Sequence, residues 1–138
     1  MTTPAKPLPD VHEPLTAPYW AGSRESRLVV PHCANCDYLE WPPEPLCPEC
    51  QHTERVWVEI APEGELWSFA TYHQALDPAF ANDIPYSVGL VELDVGAKMY
   101  GLLLNDENEL EVGQRVRGVF EAVNDEVTFL RWRVDPEA

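Results

Sequence analysis

Polar and apolar residues alternate from about Leu66 onward with the two-residue period of half-buried strands. Trp67, Phe69, Thr71 and His73 alternate with Ser68, Ala70 and Tyr72, which predicts a first strand with two distinct faces. Tyr86–Leu93 is a second strand, Asp94-Val95-Gly96 a tight turn, and Lys98–Leu104 a third strand pairing back on it. Val116–Val123, the turn Asn124-Asp125 and Val127–Val134 supply a fourth and a fifth. Five strands in this span, with Gly89, Gly101 and Gly118 inside them as points of sharp coiling, predict a small closed or nearly closed barrel. A five-stranded sandwich-like sheet is the competing arrangement.

The chain before that point has a different texture. Of its 14 prolines, those at 4, 7, 9, 14, 18, 31, 42, 43, 45 and 48 crowd its first third, where they deny the backbone donors that regular structure needs. Residues 1–12 read as a flexible arm. Thr16 is placed to cap a short helix, with Pro18 in its first turn, that runs through Tyr19, Trp20 and Ala21 towards Ser26. The reading divides the chain into an arm and short helical segment (1–27), a cysteine-bearing segment (28–60) and the barrel (61–138).

That middle segment holds the strongest chemical signal. Cys33-Ala-Asn-Cys36 and Cys47-Pro-Glu-Cys50 form two C-x2-C knuckles, each able to turn two sulfurs toward one ion. Four soft thiolates in a tetrahedron suit zinc, and a site they close has no open position for an activated water. The expected role is therefore structural. Cys47-Pro-Glu-Cys50 also has the form used by rubredoxin-like iron sites, so electron transfer is a rival reading. Between the knuckles, residues 37–46 carry Tyr38, Leu39, Trp41 and three prolines, which predicts a stiff hairpin.

Charge narrows the partners. Nine Lys and Arg against 24 Asp and Glu leave a net charge of −15. From residue 61 the balance is 5 basic to 15 acidic residues. Such a surface does not attract phosphates, so neither nucleic acid nor an anionic membrane is an expected partner, even though the barrel's aromatics would suit base stacking. Arg115, Arg117, Arg131 and Arg133 are the candidates for a local cluster across the fourth and fifth strands, facing a protein or a CoA phosphate, with surface ion pairs as the alternative. Met1–Lys6 lacks the apolar core of a secretory signal and no apolar run approaches a membrane span, so a cytoplasmic location is expected. With the cysteines committed to metal, no thiol nucleophile remains, and no Ser-His-Asp or Gly-rich phosphate motif is present. Of the histidines, His32 and His52 beside the knuckles are alternative ligands, and His73 is a candidate pocket residue.

Taken together, these residues resemble a known family, the zinc-ribbon plus OB-fold proteins of acyl-CoA metabolism known as domain of unknown function 35. The resemblance covers roughly residues 17 to 134. It rests on Pro18-Tyr19-Trp20, the two knuckles, Asp77-Pro78-Ala79-Phe80, Ile84-Pro85-Tyr86, Leu90-Val91-Glu92-Leu93, and Gly113 followed by Val116 and Phe120. It implies a mainly β protein: an N-terminal helical segment, a rubredoxin-like four-cysteine zinc ribbon and a five-stranded OB-fold barrel. It also implies a non-catalytic accessory subunit in a hetero-oligomer with a thiolase-fold partner, a thiolase or lipid-transfer-type aldolase, in lipid or steroid metabolism, meeting acyl-CoA through the complex. A stand-alone acyl-CoA or acyl-lipid binding module is the alternative. Carried over by position, Cys33, Cys36, Cys47 and Cys50 are the zinc ligands. Tyr19, Trp20, His73, Phe80, Pro85 and Tyr86 are the implied partner or acyl-CoA interface. Asp37 stands where the family usually has Gly after the second cysteine, so the first knuckle must close with a non-glycine residue in left-handed backbone.

Overall fold

The computed structural model describes residues 5–135. The chain's first four residues, at the head of the expected arm, and residues 136–138, at the end of the expected barrel segment, lie outside the described residues. One helix, α1 (Ala17–Arg24), is followed by seven strands: β1 (Leu28–Cys33), β2 (Arg55–Ile60), β3 (Glu63–Tyr72), β4 (Tyr86–Leu93), β5 (Lys98–Leu103), β6 (Arg115–Ala122) and β7 (Thr128–Val134). The last five close a barrel in the order β3-β4-β5-β7-β6. The closed barrel predicted from the alternation is the one formed, and the sandwich-like alternative falls away.

Closure depends on the length of β3. Its far end pairs along β4 as far as Tyr72↔Tyr86, while its start pairs with β6 through Glu63↔Arg117, Gly64↔Val116 and Glu65↔Arg115. A bulge between Leu66 and Ser68 lets one strand serve two neighbours, because an extra residue bends the strand and sharpens its twist. Trp67 is that extra residue. The simple alternation expected through Trp67 therefore breaks there, and Trp67 points outward instead of sharing an inner face with Phe69. β5 and β7 run parallel and meet at Leu103↔Trp132.

Inside the barrel, Leu66, Val91, Leu93, Met99, Leu103, Val116 and Leu130 surround the fully buried Trp132. Gly89, Gly101 and Gly118 face this interior. A Cβ on Gly118 would lie 2.6 Å from Leu130 and 2.7 Å from Pro62, and one on Gly89 would lie 3.0 Å from Leu66 and Leu103. They make room for large neighbours.

β1 and β2 form a separate antiparallel pair, Leu28↔Ile60 through Cys33↔Arg55, and α1 packs between this ribbon and β7. Tyr19 lies 4.6 Å from the Trp41 ring, Trp20 meets Phe129 edge-on at 6.0 Å, and Arg24 Nη1 donates to Glu126 O at 3.2 Å. Tyr19, Leu28 and Val30 belong to the same buried cluster as the barrel core, so helix, ribbon and barrel share one interior. The helix falls where expected, but Thr16 caps it with backbone alone. Its carbonyl accepts from Tyr19 N at 3.0 Å while its hydroxyl turns to Glu13, as an αR conformation aims the side chain away from the first-turn donors.

Candidate metal centre

Each knuckle is built the same way. β1 delivers Cys33, whose N–H donates to Tyr38 O at 2.8 Å, and Asp37 N returns to Cys33 O at 3.0 Å. In the second, Cys47 N donates to His52 O at 2.9 Å and Gln51 N to Cys47 O at 2.8 Å. In both, the residue after the second cysteine takes left-handed backbone: Asp37 with φ 63° and Gln51 with φ 65°. Asp37 thus fills the position where glycine was expected, at the modest cost that αL carries for a short polar side chain. Nothing in the sequence singled out Gln51, whose matching offset from Cys50 was the available signal.

These turns bring four sulfurs within 4.8 Å of one another. Cys33 and Cys50 are 3.5 Å apart and Cys36 and Cys47 3.7 Å, unbonded in both cases. Thiolates about 2.3 Å from a central zinc would lie about 3.8 Å apart along the edges of a tetrahedron, so the cluster has the dimensions of that site. Cys33 and Cys47 are buried, while Cys36 and Cys50 reach the surface. His32 and His52 are not in the cluster. His32 Nδ1 instead lies 3.8 Å from Asp37.

Amide donors prepare the sulfurs for ionisation. Asn35 donates its backbone N–H to Cys33 Sγ at 3.4 Å and its side-chain amide to Cys50 Sγ at 3.5 Å. The Asn35 amide, then the His52 backbone N–H, hold the Cys50 thiol down at about 6. At Cys36 the Tyr38 N–H is the largest single influence and favours the thiolate. Burial and the three neighbouring sulfurs outweigh it and push that thiol up to about 12. Four thiolates cannot share this space without a cation, and a divalent ion supplies the charge that lets them ionise together.

The linker between the knuckles is not the expected hairpin. It makes one isolated bridge, His32↔Leu39, and the paired strands lie outside the knuckles as β1 and β2. Three prolines remove the donors a ladder there would need. An ionic clamp takes its place: Arg55, from β2, donates to the carbonyls of Glu44 and Pro45 and lies 3.7 Å from the buried Glu40 carboxylate. The sequence offered no cue for this pair, since residues fifteen apart in a proline-rich loop share no periodicity.

At one end of the barrel, three of the other predicted site residues meet. Phe80, Pro85 and Tyr86 line a cleft of about 600 Å³ with Leu104 and Arg131. Phe80 follows Asp77, whose carboxylate accepts from Ala79 N at 2.9 Å and caps a 3-10 turn. Tyr86 stacks on Tyr72 at 5.1 Å and packs against Phe80 at 5.9 Å. His73 lies just past β3, exposed, with Nε2 3.3 Å from Glu107. Tyr19 and Trp20 are elsewhere, at the ribbon–helix–barrel junction, where Tyr19 is 7% exposed. The four arginines share the outer side of β6 and β7. Arg115 is bound to Asp94 by two hydrogen bonds of 2.7 Å, Arg131 lies over Phe129 near Glu121, and Arg117 stands opposite Arg133.

The comparisons with known proteins match both halves of this architecture. A family model described as the ChsH2 rubredoxin-like zinc ribbon domain covers residues 20–55, and one described as the ChsH2 C-terminal OB-fold domain covers residues 57–121. A chain of a solved structure described as the Ltp2-ChsH2(DUF35) aldolase superposes with a TM-score of 0.80 at 30% identity, over 92% of this chain and 98% of that one. The chain belongs to the DUF35 family. Curated DUF35 relatives include a "DUF35 domain-containing scaffold protein" of Methanocaldococcus jannaschii, 26% identical over 72% of this chain and 71% of the relative. A "probable enoyl-CoA hydratase alpha subunit" of Thermomonospora curvata is 34% identical over 71% of this chain, which spans 30% of that protein's length. A DUF35 structure from Sulfolobus solfataricus, 15% identical with a TM-score of 0.62, shares the fold. The sulfur cluster and the zinc-ribbon family together make zinc the cofactor, with the rubredoxin resemblance one of fold. Among the described residues, no helix is long and apolar enough to cross a membrane.

Proposed function

We propose that this chain is a non-catalytic accessory subunit that binds and stabilises a thiolase-fold enzyme acting on acyl-CoA substrates in the cytoplasm. The observation that carries the reading is the near end-to-end match to the chain of the Ltp2-ChsH2(DUF35) aldolase. The scaffold names of two archaeal relatives support it. So does the chemistry of the metal centre: zinc held by Cys33, Cys36, Cys47 and Cys50 is a closed tetrahedron that braces the ribbon and offers no site for substrate or water. The hydratase name belongs to a protein of which this chain spans 30%, and it carries less weight.

In this reading, the cleft of Phe80, Pro85 and Tyr86 borders the partner's acyl-CoA path, with His73 at its edge. Phe80 and Tyr86 are rigidly held aromatics next to a proline, which make anchors at low entropic cost. Tyr19 and Trp20 act indirectly, by fixing the ribbon against the barrel. Purification of the chain from its native cell tests this. A stoichiometric thiolase-fold protein is expected, with Phe80→Ala and Tyr86→Ala weakening the complex and lowering its turnover. Turnover of a thioester by the isolated chain would overturn the reading, and tight CoA-ester binding by the isolated chain would favour a free-standing delivery module.

A further inference from the structure

The outer face of β3, β4 and β5 is apolar where solvent-facing strand positions are ordinarily polar. Across the sheet, Ser68, Leu90 and Tyr100 form one row, and Ala70, Val88 and Leu102 the next. Tyr72 and Tyr86 form a third. No charged side chain interrupts these rows, in a chain with 24 acidic residues. Tyr100 is 74% exposed, Trp67 at the β3 bulge 51%, and Leu76 in the loop after β3 80%. The opposite side of the same strands fills the barrel core, so both faces of this sheet are apolar. A half-solvated antiparallel sheet alternates, and a sheet covered on both sides does not. Exposed Tyr and Trp around a charge-free centre are the composition of an interface core.

The border of the face identifies what covers it. Glu65 and Glu92 stand at one end, and Asp106 and Glu107 at the other. Lys98 is already paired with Glu92 and lies over Trp67, and Lys6 is paired with Asp83. A second copy of this chain would bring one acidic border against another, and a nucleic acid would bring phosphates against it. A protein whose own apolar patch is ringed by Lys and Arg complements it.

We infer that the β3–β4–β5 face is the main docking surface for the partner enzyme, seating an apolar patch with a basic rim, with Tyr100 on β5 its most exposed aromatic anchor. This assignment rests on the accessory-subunit reading and extends it from the cleft at the barrel end to the adjoining sheet.

The test uses the full chain and the thiolase-fold protein that co-purifies with it. Tyr100→Ser should weaken the complex about 30-fold, as loss of an exposed aromatic anchor does, and Tyr100→Phe by no more than about threefold. Raised salt should weaken the wild-type complex, and tetranitromethane should nitrate Tyr100 in the free chain but not in the complex. Tyr100 is exposed, so zinc content and circular dichroism should be unchanged in both variants. Wild-type affinity in Tyr100→Ser, or equal nitration in the two states, overturns the assignment. So does a dimer of the isolated chain, or oligothymidine binding by it, that Tyr100→Ser abolishes. If Phe80→Ala weakens the complex while Tyr100→Ser does not, the accessory reading stands and the sheet face alone falls. If no thiolase-fold protein co-purifies, both fall.

Discussion

Gly101 lies so close to the indole of Trp132 that a Cβ on it would sit 2.4 Å from Cδ1 and 2.6 Å from Nε1. Trp132 is the largest fully buried side chain, at the seam where β5 meets β7 in parallel. That seam has one registered pair, so packing of the indole against a bare backbone does much of the work of closing the barrel. Gly101→Ala should destabilise the chain by about 1–3 kcal/mol, the usual cost of overpacking. Combining it with Trp132→Leu should cost less than the sum of the two, because they share one contact. Urea midpoints of the two single variants and the double variant check this. Strict additivity would show that the two residues are uncoupled.

Metal analysis of the purified chain should find one zinc per chain, and Cys33→Ser or Cys47→Ser should abolish it. The thiolates must be free of protons to bind, so zinc affinity should fall as pH is lowered, and acid with chelator should strip the site. Loss of the metal removes the constraint joining the knuckles. Thermal stability should drop, with ribbon amides exchanging with deuterium before those of the barrel.

Arg55→Ala should cost about 3 kcal/mol. It leaves the Glu40 carboxylate, 1% exposed at its side chain, without its cationic partner and frees the carbonyls of Glu44 and Pro45. The double variant Arg55→Ala with Glu40→Gln should recover part of that loss, since the buried charge is then gone. A zinc competition assay on the same proteins should show weaker metal retention in Arg55→Ala, because the clamp holds the two knuckles at their spacing.

Arg115 holds the Asp94 carboxyl below its ordinary range: its hydrogen bonds are the largest influence, burial opposes them, and its charge adds a smaller lowering. A carboxylate lowered in the folded state contributes stability above its unfolded pKa and loses it as pH falls through the folded one. Both groups are substantially exposed, so solvent screens the pair and its contribution to stability is small. The stability difference between wild type and Asp94→Asn should therefore stay constant from about pH 7 to about pH 5 and close only in stronger acid. A difference that shrank already between those two values would refute the pairing.

The four cysteines, the short helix and all five barrel strands were legible in the chain, because each is written in local spacing. Two residues between cysteines, two-residue alternation and a glycine-bearing turn at Asp94–Gly96 need no distant partner to be recognised. What escaped was long-range. β1 and β2 pair across a loop of more than twenty residues, and the Arg55–Glu40 clamp joins a strand to a loop with no shared period. The bulge at Trp67 keeps strand-like residues on both sides while reversing their faces.

The sequence by itself determined the metal chemistry and the class of fold, since thiolate spacing and apolar period act over a few residues and tolerate much variation elsewhere. Tertiary structure alone decided where surfaces lie. It turned Tyr19 inward against Trp41 and Tyr100 outward, though both are tyrosines in apolar surroundings along the chain. Whether a face is core or interface depends on what the closed barrel has already covered, and that closure is a property of five strands at once.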